Sequence, residues 1–254
     1  MKARILGCGT SSGVPRIGND WGACDPTNTR NRRTRVSILV ETASTRILVD
    51  TGPDLREQLL AADVAQLDAV IWTHDHADHC HGIDDLRQVF HASGQPVRGL
   101  ARADTLATLT NRFAYVFQGR AGYPSTVSGE LLPDRFDVGD ISVEVVDQPH
   151  GSITSAGLCF RHDDRLLVYA TDFHSLTDQM QHAYRNADLL VIDALRRAPH
   201  PTHPTIDQAV AWSQVLGARR TILTHMDHSV DYERTSAELP IGVEPGYDGL
   251  EITV

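Results

Sequence analysis

Thr73-His74-Asp75-His76-Ala77-Asp78-His79 is the stretch on which the reading of this chain turns. From His74 to His79, three imidazoles and two carboxylates occupy six consecutive residues, directly after the apolar run Ala69-Val70-Ile71-Trp72. Neutral imidazole is the commonest protein ligand for zinc-like metals, and a nearby carboxylate can complete such a site. So much polarity at the end of a strand cannot be buried unpaired. The alternation of the cluster sets its side chains to converge, and the spacing predicts a metal site.

Other apolar runs end in the same way. His150 follows the alternating run from Ile141 to Val146, Asp172 follows Leu166-Leu167-Val168-Tyr169-Ala170, and His225 follows Thr221-Ile222-Leu223. Positions just past the carboxyl ends of strands are where α/β folds gather their sites. A single His or Asp there is more often structural, but the repetition of ligand types at separate strand ends argues for one shared centre. Asp50 comes after Arg46-Ile47-Leu48-Val49 and before Thr51-Gly52. It is expected to orient a ligand imidazole from behind.

Composition narrows the class. With 254 residues, 41% hydrophobic and 22% charged, the chain reads as one globular domain over 1–254 with a full core. No apolar run approaches the roughly 18 residues of a membrane span, and Met1-Lys2-Ala3-Arg4 lacks a signal-peptide core. A cytoplasmic location and no membrane partner are therefore expected. Cys8, Cys24, Cys80 and Cys159 are scattered without CxxC spacing, which indicates neither a disulfide framework nor a zinc ribbon. The net charge of −10 stays acidic even after two divalent ions, at about −6. That disfavours a broad nucleic-acid surface. The densest basic run, Arg30-Asn31-Arg32-Arg33-Thr34-Arg35, reads as a solvated loop entering a strand rather than a phosphate clamp.

Apolar and β-branched runs suggest strands at 3–6, 36–41, 46–50, 68–73, 141–147, 157–162, 165–170, 188–192, 219–224 and 249–253. Helical patterns fit 54–62, 84–92, 103–112, 175–185 and 205–216, with Pro204-Thr205-Ile206-Asp207 opening what reads as the last helix. Strands in two batches with helices after each suggest two facing sheets between outer helices. The aromatic, Gly-rich segment 112–135 reads as a loop over the site.

On these residues the chain resembles the metallo-β-lactamase superfamily: the His-x-His-x-Asp-His cluster, then His150, Asp172 and His225, follow the order of its metal ligands. Gly7-Cys8-Gly9-Thr10-Ser11-Ser12-Gly13-Val14-Pro15, His81-Gly82-Ile83-Asp84-Asp85-Leu86-Arg87 and Gly246-Tyr247-Asp248-Gly249-Leu250-Glu251-Ile252 look like its PhnP-type branch, related to tRNase Z. The resemblance covers nearly the whole chain and implies a four-layer αββα sandwich with a two-metal site. By position, His74, His76, His150 and Asp172 would hold one ion; Asp78, His79, Asp172 and His225 would hold the other, with Asp172 shared. Zinc is the expected metal, with manganese, iron and nickel as alternatives on ligand chemistry.

The implied activity is hydrolysis of a small cyclic phosphodiester such as phosphoribosyl 1,2-cyclic phosphate. The expected route is attack by hydroxide held between the ions beside Asp78, with His203, just before Pro204-Thr205, as general acid. His200 is the competitor for that role. A tRNase Z-like endoribonuclease and a thioester or lactone hydrolase of the same fold are the alternatives; a non-catalytic binder or diiron protein is a further one. A homodimer is compatible with the resemblance. The branch also carries a structural zinc site, of which Cys24 and His228 remain while Asn19 and Trp21 stand at the other ligand positions. The expectation is that this zinc is lost and packing around Trp21 replaces it.

Overall fold

The computed structural model describes all 254 residues. Two seven-stranded sheets face each other. The first contains β1 (Lys2–Gly7), β2 (Ser37–Glu41), β3 (Arg46–Val49), β4 (Ala69–Trp72), β5 (Val97–Ala101) and β6 (Val127–Leu131). The second is built from β7 (Arg135–Val138), β8 (Ile141–His150), β9 (Ile153–His162), β10 (Arg165–Ala170), β11 (Leu189–Asp193), β12 (Thr221–Thr224) and β13 (Val243–Pro245). The final strand, β14 (Glu251–Thr253), returns to the edge of the first sheet beside β1.

Each sheet has an antiparallel and a parallel half. In the first, β14, β1, β2 and β3 pair antiparallel, and β3 to β6 pair parallel. In the second, β7 to β10 pair antiparallel and β10 to β13 parallel. Parallel strands are buried on both faces, and the sequence shows how. Ile47, Val49 and Ile71 belong to the core between the sheets, whereas Leu48, Val70 and Trp72 belong to a second core beneath the outer helices.

Those helices on the first sheet are α1 (Leu55–Ala62), the single turn α2 (Ala77–Cys80), α3 (Leu86–Ser93), α4 (Ala103–Arg112) and α5 (Ala114–Gln118). On the second sheet lie α6 (Asp178–Tyr184), α7 (Ile206–Leu216) and α8 (Tyr232–Glu238). The layers run helix, sheet, sheet, helix, as the resemblance implies. Helix α7 starts where the sequence places it. The Thr205 hydroxyl accepts the Gln208 N–H at 3.2 Å, and the Gln208 side chain accepts the Thr205 N–H at 2.9 Å. This reciprocal cap satisfies donors that a helix start otherwise leaves open, and it pins the backbone right after His203.

Three expectations need correction. The last helix is α8, capped by Asp231, and not the one at Thr205. Segment 112–135 is not a loop over the site: it forms α5 and β6, the latter extending the first sheet at its edge. Its Gly129 leaves room for Phe117 of α5, whose ring would lie 3.1 Å from a Cβ at that position. Finally, Trp21 does not replace a metal by packing. It is half-buried and donates its indole N–H to Asn19 at 3.0 Å. The Cys24 thiol instead bonds the carbonyls of His228 and Val230, both at 3.3 Å, and His228 lies 3.6 Å from the Asp20 carboxylate.

Candidate metal centre

The parallel strands β3, β4, β10, β11 and β12 all end at one edge of the sandwich, and the polar residues that follow them meet there. Asp50, Asp172 and His225 take left-handed backbone angles, with φ of 63°, 56° and 59°. Outside glycine this region costs of order 1–3 kcal/mol per residue and is held only where the surroundings insist. Here it ends a strand abruptly; Asp172 and His225 line the cleft, and Asp50 is turned against the back of His79.

Three overlapping groups form at this edge. The ligand atoms of His74, His76, His150 and Asp172 lie within 4.8 Å of one another, as do those of Asp78, His79 and His225 and those of Asp172, Asp193, His203 and His225. Asp172 reaches into the second group as well: its carboxylate is 3.2 Å from His79 Nε2 and 3.6 Å from His225 Nε2. The seven residues of the first two groups are buried except His76, which is exposed. The Nε2 atoms of His74, His79 and His225 are buried without a hydrogen-bond partner. Buried polar atoms are rarely left so. Orphaned imidazole nitrogens converging on a carboxylate are a donor set that fits divalent cations.

Electrostatics point the same way. Burial opposes a charge on His79, yet the Asp172, Asp78 and Asp50 carboxylates raise its pKa well above the ordinary histidine range. Against the same burial, Asp172 and Asp193 lift His225 to about 9. Burial alone would raise Asp78 and Asp172, but the imidazoles, His79 first for Asp78 and His225 first for Asp172, hold both below the usual carboxylate range. Burial, aided by the neighbouring His79, lowers His74 instead. The carboxylates hold protons where a cation would sit, and metal binding would release them.

Further residues aim the ligands. Asp50 Oδ2 lies 2.7 Å from His79 Nδ1 and also accepts the Thr73 hydroxyl at 2.8 Å, as the sequence led us to expect of Asp50. The Thr202 carbonyl accepts from His150 Nδ1 at 3.1 Å. Arg112 at the end of α4 donates to the Asp75 carbonyl at 2.8 Å and to its carboxylate at 3.3 Å, bracing the loop between His74 and His76. Partners of this kind typically carry 10–100-fold in metal affinity. Arg112→Ala should therefore weaken metal binding about tenfold in competition with a chromophoric chelator. Unaltered affinity would show that the loop holds its shape without Arg112.

His203 lies at the rim of the centre, its ring stacked 4.7 Å from that of His225 and its Nε2 3.9 Å from Asp172 Oδ1. Its Nδ1 is 2.7 Å from Asp193 Oδ2, and that oxygen also accepts the Asp172 N–H at 2.9 Å. Asp193 thus ties the acid candidate to the shared carboxylate, a role the sequence reading missed. The signal was there, because Leu189-Leu190-Val191-Ile192-Asp193 ends in a ligand type like its neighbours. His200 makes no hydrogen bond or ion pair with the candidate metal ligands; its ring lies 5.1 Å from that of His203, and its Nδ1 accepts from Thr202. His81 faces away, edge-on to Phe113. The cavity at the centre holds about 310 Å³ and is lined by Ser11, Gly151, Ser152, Ile153 and Thr202 besides candidate metal ligands and His203.

The chain matches the Beta-lactamase superfamily domain over residues 45–226. A crystal structure of a diphosphatase from the PhnP family superposes with a TM-score of 0.89 at 35% identity, covering 99% of this chain and 97% of that one. Human tRNase Z, short form, superposes with a TM-score of 0.67 at 18% identity over 100% and 99% of the two chains, a likeness of fold. An octanoyltransferase of Porphyromonas gingivalis is 34% identical over 100% of this chain and 52% of its own length. The chain spans about half the length of the curated relatives it matches first.

Proposed function

We propose that this chain, which belongs to the metallo-β-lactamase superfamily and is a metal-dependent hydrolase related to its PhnP-like members, cleaves a small cyclic phosphodiester, of which phosphoribosyl 1,2-cyclic phosphate is an example. The observation that carries the proposal is the pairing of His203 with Asp193 at the edge of the two-group centre. An alkoxide leaving a phosphodiester needs a proton, whereas a thiolate leaves without one. A braced imidazole directed at the shared carboxylate suits the former.

His74, His76, His150 and Asp172 would hold one ion, and Asp78, His79, Asp172 and His225 the other. Divalent ions held there supply Lewis acidity and activate water near neutral pH. The residues do the rest. Asp50 fixes the ring of His79, and Asp193 fixes that of His203, leaving His203 Nε2 on the side of Asp172, where it would pass a proton to a leaving oxygen. The enclosure of about 310 Å³ favours a small substrate. No lysine or arginine lines it, which weighs against an RNA grip at the centre. A thioester, whose thiolate leaves unprotonated, gains little from the His203–Asp193 pair.

A diphosphate bond is the second reading, favoured by the PhnP-family diphosphatase with 35% identity over nearly the whole chain. A departing phosphate oxygen needs little protonation, so such a substrate would make small use of His203. The test is turnover by the zinc- or manganese-loaded protein of a ribose cyclic phosphate, a nucleoside diphosphate ester and an acyl thioester. Preference for the cyclic diester supports the proposal; preference for the diphosphate or the thioester overturns it.

A further inference from the structure

The turn Thr10-Ser11-Ser12-Gly13 borders the cavity through Ser11. It closes with the Gly13 N–H on the Thr10 carbonyl at 2.8 Å, and Gly13 takes φ of 64° while neither serine has positive φ. The amides on either side are all engaged. Gly9 N–H bonds Thr34, Thr10 N–H bonds Met226, and Val14 N–H bonds Arg33. Those of Ser11 and Ser12 alone have no acceptor, and the Ser11 hydroxyl makes no hydrogen bond either. Met226 is the residue after His225, so the turn is fixed beside the Asp78–His79–His225 group. A Cβ at Gly13 would meet the Arg35 guanidinium at 3.6 Å, and that guanidinium pairs with Asp54 at 2.9 Å.

We propose that this turn is the anion-recognition element of the site: the Ser11 and Ser12 amides, with the Ser11 hydroxyl, receive non-bridging oxygens of the substrate's phosphoryl group. The inference rests on the phosphodiesterase reading and adds to it the residues that bind the phosphoryl group apart from the metals. Successive backbone N–H groups in a turn form concavities for anions. Preorganised donors of this kind stabilise charge that grows on phosphoryl oxygens in the transition state. No lysine or arginine lines the cavity, so among its protein groups the donors open to a phosphoryl oxygen here are neutral.

The test is calorimetric titration of inorganic phosphate into protein loaded with two equivalents of zinc or manganese. Ser11 occupies the second position of the turn, where proline is well accepted, so Ser11→Pro deletes one N–H with little strain. Hydrogen bonds to charged groups are strong enough that the phosphate dissociation constant should rise about tenfold or more. Ser11→Ala, which removes only the hydroxyl, should show a smaller rise, and both variants should keep their metal. Unchanged phosphate affinity in folded, metal-loaded Ser11→Pro overturns the inference. If that variant does not fold, the backbone amide proton resonances of Ser11 and Ser12 in the metal-loaded wild type decide, and resonances that do not move on phosphate titration likewise overturn it. A wild type that binds phosphate through the turn yet cleaves no diester would retain this inference and sink the phosphodiesterase reading.

Discussion

Asp172→Asn is expected to abolish turnover, with a loss on the order of 10³-fold or more, about 4 kcal/mol of transition-state stabilisation. Asparagine is the informative replacement because it tolerates the left-handed backbone that Asp172 adopts. It keeps the side chain's size and removes only the charge and one ligand oxygen. That carboxylate is 3.2 Å from His79 and 3.6 Å from both His150 and His225, so both groups lose it together. Metal analysis should show at least one ion lost or weakened while circular dichroism stays native. Near-normal turnover in the variant would contradict a centre built on Asp172.

His203→Ala has the second-largest expected effect, with metal content untouched. General acid catalysis contributes roughly 10²–10⁴-fold, and the fall in kcat should lie in that range for an alkoxide leaving group. For a p-nitrophenyl ester, whose leaving group needs no proton, the loss should nearly vanish. Asp193→Asn should fall between wild type and His203→Ala, because it removes the partner at 2.7 Å while leaving the imidazole in place. Equal losses on both substrates would reassign His203 from proton donor to support of the centre. Loss of metal from His203→Ala would make it a ligand, a role its proximity to Asp172, Asp193 and His225 permits.

Much of the centre was legible because strand and ligand signals coincide. The parallel strands are buried on both faces, so they appear as unbroken apolar runs, and a ligand-type residue within two positions of the end of each stands out. Asp50, His74, Asp172 and His225 were all found that way. Asp193 escapes because the apolar run suggests a strand only to Ile192, whereas the strand continues through Asp193. Strands β5 and β6 were not seen at all. Each carries a glycine at its centre, Gly99 against Trp72 and Gly129 against Phe117, where a side chain would collide. Such a glycine serves packing but weakens the strand pattern. The α8 helix is too short to show a period, and its Asp231 cap was the only local cue. The anion donors at Ser11 and Ser12 are backbone groups, and no residue type announces them.

The most direct measurement is a metal titration of chelator-treated protein, following cleavage of bis(p-nitrophenyl) phosphate against equivalents of zinc or manganese added. Two groups sharing Asp172 predict activity that rises to a plateau at two equivalents per chain. Two tightly bound ions without cleavage of the diester, or full activity at a single equivalent, would contradict the two-ion phosphodiesterase account.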